Sequence, residues 1–257
     1  MTWFWIFPLV ILLAAAYRWQ FWRLPKKGLT VLMYHHIGHT APDDAQYSFT
    51  ISPQHFQAQL DMLQKYGFTP IGLDELKAAF QTGKPLPAKP VLLTFDDGYA
   101  DNFQNLFPVL QKRKVKALIF LVTDFIGKEP GYMTWQQVRQ MQESGLVQFG
   151  SHTLDHARLR RLPQEDILRQ LTQSKAALEE KLGVACEAFC YPFGSGGFDK
   201  RVRPLVFQAG YLFDFSTKPG INPWPWKGKK TLLRAFPRGG ETLTDFYIQI
   251  TRGKSKF

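Results

Sequence analysis

The sequence predicts an α/β fold with a parallel sheet, either doubly wound or closed into a barrel. Short apolar runs recur along the chain, most of them too short for helices. Between them lie stretches of ten or more residues whose apolar positions repeat three and four apart. Polar residues cluster just after several of the apolar runs, at Asp96-Asp97, His152 and Pro192-Phe193-Gly194. Parallel α/β folds build their sites at these strand ends.

In chain order, Thr30–Tyr34 reads as a buried strand. Phe56, Leu60, Leu63 and Tyr66 mark a helix that Gly67 stops. A second strand spans Pro90–Phe95, followed by a helix from Asn102 to Lys112. Lys116–Val122 is the third strand, and Thr134 caps a helix running to Glu143. Leu146–Gly150 is the fourth. Ile167, Leu171, Ser174, Ala177 and Leu178 give a long helix ending at Gly183. A strand at Ala188–Tyr191, a helix at Lys200–Gln208, and strands at Tyr211–Phe215 and Leu232–Phe236 complete the series.

A chain of 257 residues, 45% of them apolar, suits one large domain better than two small ones. No repeat or low-complexity tract interrupts it. The two cysteines, Cys186 and Cys190, exclude a disulfide scaffold and read as buried thiols. The formal charge of +11 favours an anionic partner. Nucleic acid is a poor fit, because no binding motif accompanies that charge.

Residues 1–27 stand apart from the domain at 28–257. Trp3–Tyr17 is uncharged and apolar; as a helix it covers ~22 Å, short of the ~30 Å hydrocarbon core. Continuation through Trp19, Phe21, Trp22 and Leu24, with Arg18 snorkelling, extends it to about 33 Å. A cleaved signal peptide ending at Ala14-Ala15-Ala16 is the rival reading, but no basic side chain precedes the run. We read it as an uncleaved single-pass anchor in a bacterial inner membrane. Arg18, Arg23, Lys26 and Lys27 all follow it, which puts the domain on the cytoplasmic side.

Two motifs carry chemistry. In Thr94-Phe95-Asp96-Asp97-Gly98-Tyr99, adjacent carboxylates at a strand end point apart, so one can ligate a cation while the other stays free as a base. Asp97 could equally cap a helix. In Ser151-His152-Thr153-Leu154-Asp155-His156, two histidines four apart share one face of a helical turn. Alone, such a pair is unspecific. With Asp97 it supplies two imidazoles and one carboxylate, the donor set of a catalytic zinc with an open position; cobalt, nickel or iron would also fit.

These motifs, with Phe189-Cys190-Tyr191-Pro192-Phe193-Gly194, resemble the polysaccharide deacetylases, the NodB-homology or carbohydrate esterase 4 group. The likeness runs from Thr30 to Phe236. It implies a distorted (β/α) barrel and hydrolysis of N-acetyl groups on glycans. It also implies Asp97, His152 and His156 as metal ligands, Asp96 as general base, and the Phe193 N–H as an oxyanion donor.

The chain departs from the commoner pattern at two places. Cys190 stands where an arginine usually orients the base, and no histidine follows His156. This resembles the rearranged subgroup containing poly-β-1,6-N-acetylglucosamine deacetylases, in which an early histidine donates the proton. That likeness points to His35, with His36 in a structural role. Arg234, at a strand end, is the expected substitute for the missing arginine. Arg158, Arg160 and Arg161, with Trp224, Trp226, Lys227, Lys229 and Lys230, read either as a rim for an anionic glycan or as contacts to lipid headgroups.

The expected activity is metal-dependent N-deacetylation of an N-acetylhexosamine in a bacterial surface glycan or its lipid-linked precursor. A deformylase of a lipid-linked formamido sugar, or an inactive glycan-binding module, are the alternatives.

Overall fold

The computed structural model describes residues 6–19, 24–225, 231–253 and 255. Trp3, Phe21, Trp22, Arg23, Trp226, Lys227, Lys229 and Lys230 lie outside the described residues, as do the side chains of Arg18 and Trp19.

The strands are β1 (Thr30–Tyr34), β2 (His36–Ile37), β3 (Thr50–Ile51), β4 (Thr69–Ile71), β5 (Pro90–Phe95), β6 (Ala117–Leu121), β7 (Val147–Ser151), β8 (Ala188–Cys190) and β9 (Phe213–Phe215). The helices are α1 (Ile6–Trp19), α2 (Pro53–Lys65), α3 (Leu73–Thr82), α4 (Phe107–Arg113), α5 (Trp135–Glu143), α6 (Gln164–Leu182), α7 (Val202–Gln208) and α8 (Leu243–Arg252). Seven strands form one parallel sheet in the order β1-β5-β6-β7-β8-β9, with β4 also pairing to β5. The segment 232–235 bridges the two outer strands: Leu232 pairs in parallel with Phe215 of β9, and Ala235 with Leu32 of β1. The sheet thereby curls round on itself.

Side chains along a strand alternate between the two faces, and the core divides accordingly. Val31, Leu92, Leu118, Phe120, Ala188, Cys190, Phe213, Phe215 and Leu232 form the inner cluster. Leu32, Val91, Leu93, Ile119, Val147, Phe149 and Phe189 point outward and pack with the helices in a second cluster. Close packing inside requires Gly150, where a Cβ would come within 2.7 Å of the Phe120 ring and 2.8 Å of the Ala188 carbonyl. Leu73 and Leu76 of α3 join the inner cluster. Gln148 anchors that helix by accepting from the N–H groups of Leu73 (2.7 Å) and Asp74 (3.3 Å).

Several sequence expectations change, among them the strand expected over Leu232–Phe236, which pairs only through isolated bridges at Leu232 and Ala235. The segment β4–α3 and the helix α8 were not anticipated; β4 has three residues including Pro70, too short for a periodic signal. The helix expected over 102–112 divides into a π-turn, Asn102–Leu106, and α4. The N-terminal helix α1 has 14 residues, about 21 Å, with Leu24–Lys27 non-helical around Pro25. Among the described residues, no helix is long and apolar enough to cross a membrane.

Candidate active site

Continuing the inward parity of each strand past its end brings the expected site residues together. Val31 and Met33 lead to His35, Leu92 and Thr94 to Asp96, Gly150 to His152, Ala188 to Cys190, and Leu232 to Arg234. The upper layer of the barrel interior is therefore polar, above an apolar floor.

Asp97, His152 and His156 converge on one point. Asp97 Oδ1 lies 3.4 Å from His152 Nε2 and 3.3 Å from His156 Nε2. His152 Nδ1 sits 2.8 Å from the Cys190 carbonyl, which can only accept, so Nδ1 carries the proton and Nε2 presents a lone pair. Burial pushes the His152 pKa down to about 3, and burial also lowers that of His156, so both rings are neutral near pH 7. Asp97 Oδ1 is buried without a hydrogen-bond donor. Burial also raises the Asp97 pKa. A buried carboxylate oxygen without a donor thus faces the Nε2 atoms of two neutral imidazoles, which is costly unless a cation occupies the centre. The edge of a tetrahedron around a zinc with ligands at ~2.0–2.1 Å is about 3.3–3.4 Å, so the donor set fits.

Asp96 is held differently. Arg234 grips it with two parallel bonds, Nη1 to Oδ1 and Nη2 to Oδ2, both 2.7 Å. Arg234 is completely buried. Its Nε donates to the Ser216 carbonyl (2.8 Å), Nη1 also to Thr94 Oγ1 (3.0 Å) and Nη2 also to Cys190 Sγ (2.9 Å). Burial alone would raise the Asp96 pKa; the charge and hydrogen bonds of Arg234 prevail and hold it well below the usual carboxylate range. Asp96 thus stays ionised, and each oxygen can accept a further hydrogen bond. Cys190 is small enough to leave room for the guanidinium.

His35 Nε2 lies 4.0 Å from Asp96 Oδ2, and its ring packs edge-on against Phe49 and Phe236. Phe193 adopts a left-handed backbone, φ 56°, in a turn closed by Gly194 N–H to Tyr191 O and Ser195 N–H to Pro192 O. Its ring contacts the His156 ring (4.4 Å) and carries the Arg158 guanidinium at 3.6 Å. Arg160 is engaged with Asp199 at 3.2 Å. Of the expected basic rim, these two arginines therefore brace the loops around the site.

Three features escaped the sequence reading. Among the described residues, four of the five non-glycine residues with positive φ lie here: Asp97, Thr153, His156 and Phe193. Each such conformation costs on the order of 1–3 kcal/mol, and strain of this kind gathers at functional sites. The π-turn is a second feature, also a frequent mark of such sites. From it and its flank, Asn102 donates to the His35 carbonyl (2.9 Å) and Asn105 to that of Ile37 (2.7 Å). His36 is fixed by Asp101 at 2.7 Å and stacks on Tyr99 at 3.7 Å. The Thr-Phe-Asp-Asp-Gly-Tyr run thus continues functionally into Asp101-Asn102. Third, Cys190 is a neighbour of Asp96 and a receiver for Arg234. Only its unusual place in the third motif hinted at that.

The family model described as "Polysaccharide deacetylase" matches residues 83–213. A poly-beta-1,6-N-acetyl-D-glucosamine N-deacetylase of Escherichia coli (strain K12) is 30% identical over 143 residues, 50% of this chain and 21% of that protein. The enzyme of that name from Staphylococcus aureus (strain MSSA476) is 25% identical over 181 residues, 66% of this chain and 61% of that protein. The chain spans less than two thirds of the length of these curated relatives. Among solved structures, BC0361, a polysaccharide deacetylase from Bacillus cereus, superimposes with a TM-score of 0.76 at 27% identity, covering 88% of this chain and 70% of that one. IcaB from Ammonifex degensii gives 0.75 at 27%, covering 89% and 97%. The curled parallel barrel, the motif positions and the family match agree: the chain belongs to the polysaccharide deacetylase family, whose members are hydrolases of carbohydrate amide bonds.

Proposed function

We propose that the protein is a metal-dependent N-deacetylase acting on an N-acetylhexosamine of a bacterial surface glycan or its lipid-linked precursor. The observation that carries this is the convergence of the donorless Asp97 Oδ1 with the Nε2 atoms of His152 and His156, beside an ionised carboxylate gripped by an arginine. A divalent ion of the zinc type held by these three residues supplies a Lewis acid and a water of lowered pKa.

The remaining roles belong to the chain. Asp96 accepts the proton of the attacking water, and Arg234 fixes the plane of its carboxylate. The Phe193 N–H, held by its left-handed backbone, donates to the oxyanion, a contribution of roughly 3–4 kcal/mol for one well-placed donor. His35 protonates the departing amine. Residues 1–27 hold the chain to the membrane, and 28–257 form the catalytic domain on the cytoplasmic side, supported by the basic residues that follow the apolar run.

The test is acetate release from N-acetylglucosamine oligomers by the zinc-loaded full chain, with Asp96→Asn as control. We expect one zinc per chain in both proteins and acetate only from the wild type. Zinc binding without release of any acyl group would overturn the reading; formate from a formamido sugar would change the acyl group removed.

A further inference from the structure

On the outer wall of the barrel, beside segment 232–235, runs a groove of about 1090 Å³. That is slightly above the range for small-ligand sites, about 300–1,000 Å³. Its walls are apolar: Phe198, Pro204, Phe207, Pro223, Pro225 and Leu233. Phe198 is 56% exposed, a large aromatic surface with no core role.

The charges along the groove are uneven. Asp199 is occupied, accepting from the Arg201 and Val202 N–H groups and from Arg160. Arg203 is paired with buried Asp214. Lys200 and Lys218 are exposed, and no ion pair among the described residues uses either. The Lys218 ammonium lies 5.0 Å from the centre of the Phe198 ring. The groove therefore offers apolar walls and cations, the complement of an anionic amphiphile. A glycan polymer would find few hydrogen-bonding partners for its hydroxyls there.

Its two ends supply the direction. At one end, Gly197 and Phe198 continue the turn that holds Phe193, and the Lys218 carbonyl accepts the Arg234 N–H at 3.0 Å. At the other, Asn222 and Pro223 meet the chain coming from α1. Leu29 and Asn222 exchange backbone hydrogen bonds of 2.9 and 3.0 Å, and Gly28 lies so close that a Cβ would sit 2.1 Å from the Asn222 carbonyl oxygen. Along α1 itself, Phe7, Leu9, Val10, Ile11, Leu12 and Leu13 are all exposed. One end thus neighbours the candidate site and the other meets Gly28 and Leu29, which follow the apolar, solvent-facing helix in the chain.

We propose that this groove holds the hydrocarbon tail of an anionic, phosphate-bearing lipid to which the amino sugar is attached, with Lys200 and Lys218 facing the phosphate. The inference rests on the deacetylase reading and narrows it from surface glycans in general to a lipid-linked amino sugar. The tail lies along the barrel wall while the sugar reaches over the rim at Gly197 into the site. A product of this reaction is then a lipid-linked free amine, so the reaction that supplies the substrate must place an N-acetylated sugar on a lipid phosphate.

The experiment uses the full chain in phosphatidylcholine nanodiscs and a photoactivatable farnesyl phosphate. Cross-linked peptides are mapped by mass spectrometry. We expect labelling on peptides that contain Phe198, Phe207 or Leu233, competed by farnesyl phosphate but not by inorganic phosphate or farnesol. Phe198→Asp and Lys218→Glu, both at exposed positions, should each cut that labelling at least fivefold. Label confined to α1, competition by inorganic phosphate alone, or undiminished labelling in both variants would overturn the proposal. Acetate release from farnesyl-phosphate-linked N-acetylglucosamine is measured on the same preparation. Its absence with groove labelling intact would sink the deacetylase reading and leave the lipid site standing.

Discussion

Two arginine–aspartate pairs flank the segment that closes the barrel, Arg234–Asp96 wholly buried inside and Arg203–Asp214 outside with its arginine partly exposed. Both are two-pronged: Arg203 donates Nε to Asp214 Oδ2 (2.8 Å) and Nη2 to Oδ1 (3.1 Å), much as Arg234 grips Asp96. Both carboxylates are almost wholly buried. The difference is in what else they touch. Asp214 Oδ2 also accepts from Tyr191 OH (3.0 Å) and Thr231 Oγ1 (2.8 Å), so its neighbours are donors tying α7, β8 and the closing segment to β9. Asp96 instead faces His35 at 4.0 Å and adjoins Asp97, whose Oδ1 has no hydrogen-bond donor and faces the Nε2 atoms of His152 and His156. The same chemical pair acts as a staple where its environment is saturated, and can act as a base where one side is left open.

The largest expected effect separates these roles. Arg234→Ala should lower turnover by about 10²–10⁴-fold, the range for losing a positioned general base, with zinc content unchanged. Arg234→Lys should recover little, because an ammonium cannot grip both oxygens. Unchanged turnover in Arg234→Ala would erase the distinction between the two pairs. On the outer side, Asp214→Ala leaves a guanidinium without its carboxylate. It should cost about 3–5 kcal/mol in urea unfolding. Turnover per folded molecule should stay within about twofold. A matching loss of turnover would make the outer pair part of the working site.

Much of this contrast was legible in the sequence, and the reasons are local. Asp96 and His152 sit at fixed offsets from apolar runs, so strand parity alone aims them inward; Asp97 and His156 were legible only as members of their motifs. Arg234 was placed beside Asp96 from its strand-end position, but the two are 138 residues apart. What joins them is a short irregular segment held between β9 and β1 by isolated bridges. No local periodicity encodes such a pairing. Asp214 was present as a lone charge in Phe213-Asp214-Phe215, a signal of a partner, yet nothing nearby said that Arg203 would meet it from α7. The left-handed backbones of Asp97, His156 and Phe193 were equally hidden, since tertiary contacts impose them against local preference.

Metal addition sharpens the comparison at a smaller scale. An ion that binds the folded state alone stabilises it by about 2.7 kcal/mol at a hundred times its Kd. Zinc titrated into chelator-treated protein should raise the melting temperature accordingly, and Asp214→Ala should respond as fully as the wild type from its lower start. His152→Ala should show no rise, having lost one of three donors. A zinc-dependent rise in His152→Ala equal to that of the wild type would place the ion elsewhere.

The smallest effect is one of slope with pH, in protein stripped of metal. Burial holds His152 at about 3, below the 6.5 of an exposed imidazole. The unfolded chain therefore takes up a proton that the folded chain refuses as pH falls below 6.5, and stability drops from there towards pH 3. Burial lowers His35 and His156 as well, so they add in the same direction. Asp96, kept below its ordinary 3.8 by Arg234 despite its burial, gives up its stabilisation only at pH values under that figure. Glu241 and Asp97 oppose the histidines: burial raises both, Glu241 to about 7 from 4.5, so protonation of either favours the fold as pH falls. The measurement is thus cleanest in a Glu241→Gln background, by urea unfolding in chelator at pH 6.5, 5.5 and 4.5. Replacing His152 with Gln should flatten the curve by at most about 1.4 kcal/mol per pH unit. Asp214→Ala should lower the curve without flattening it, because no imidazole is among the bonded partners of the outer pair. Equal slopes with and without His152 would show that the inner site does not hold its imidazole neutral, and the contrast between a saturated pair and an open one would lose its electrostatic basis.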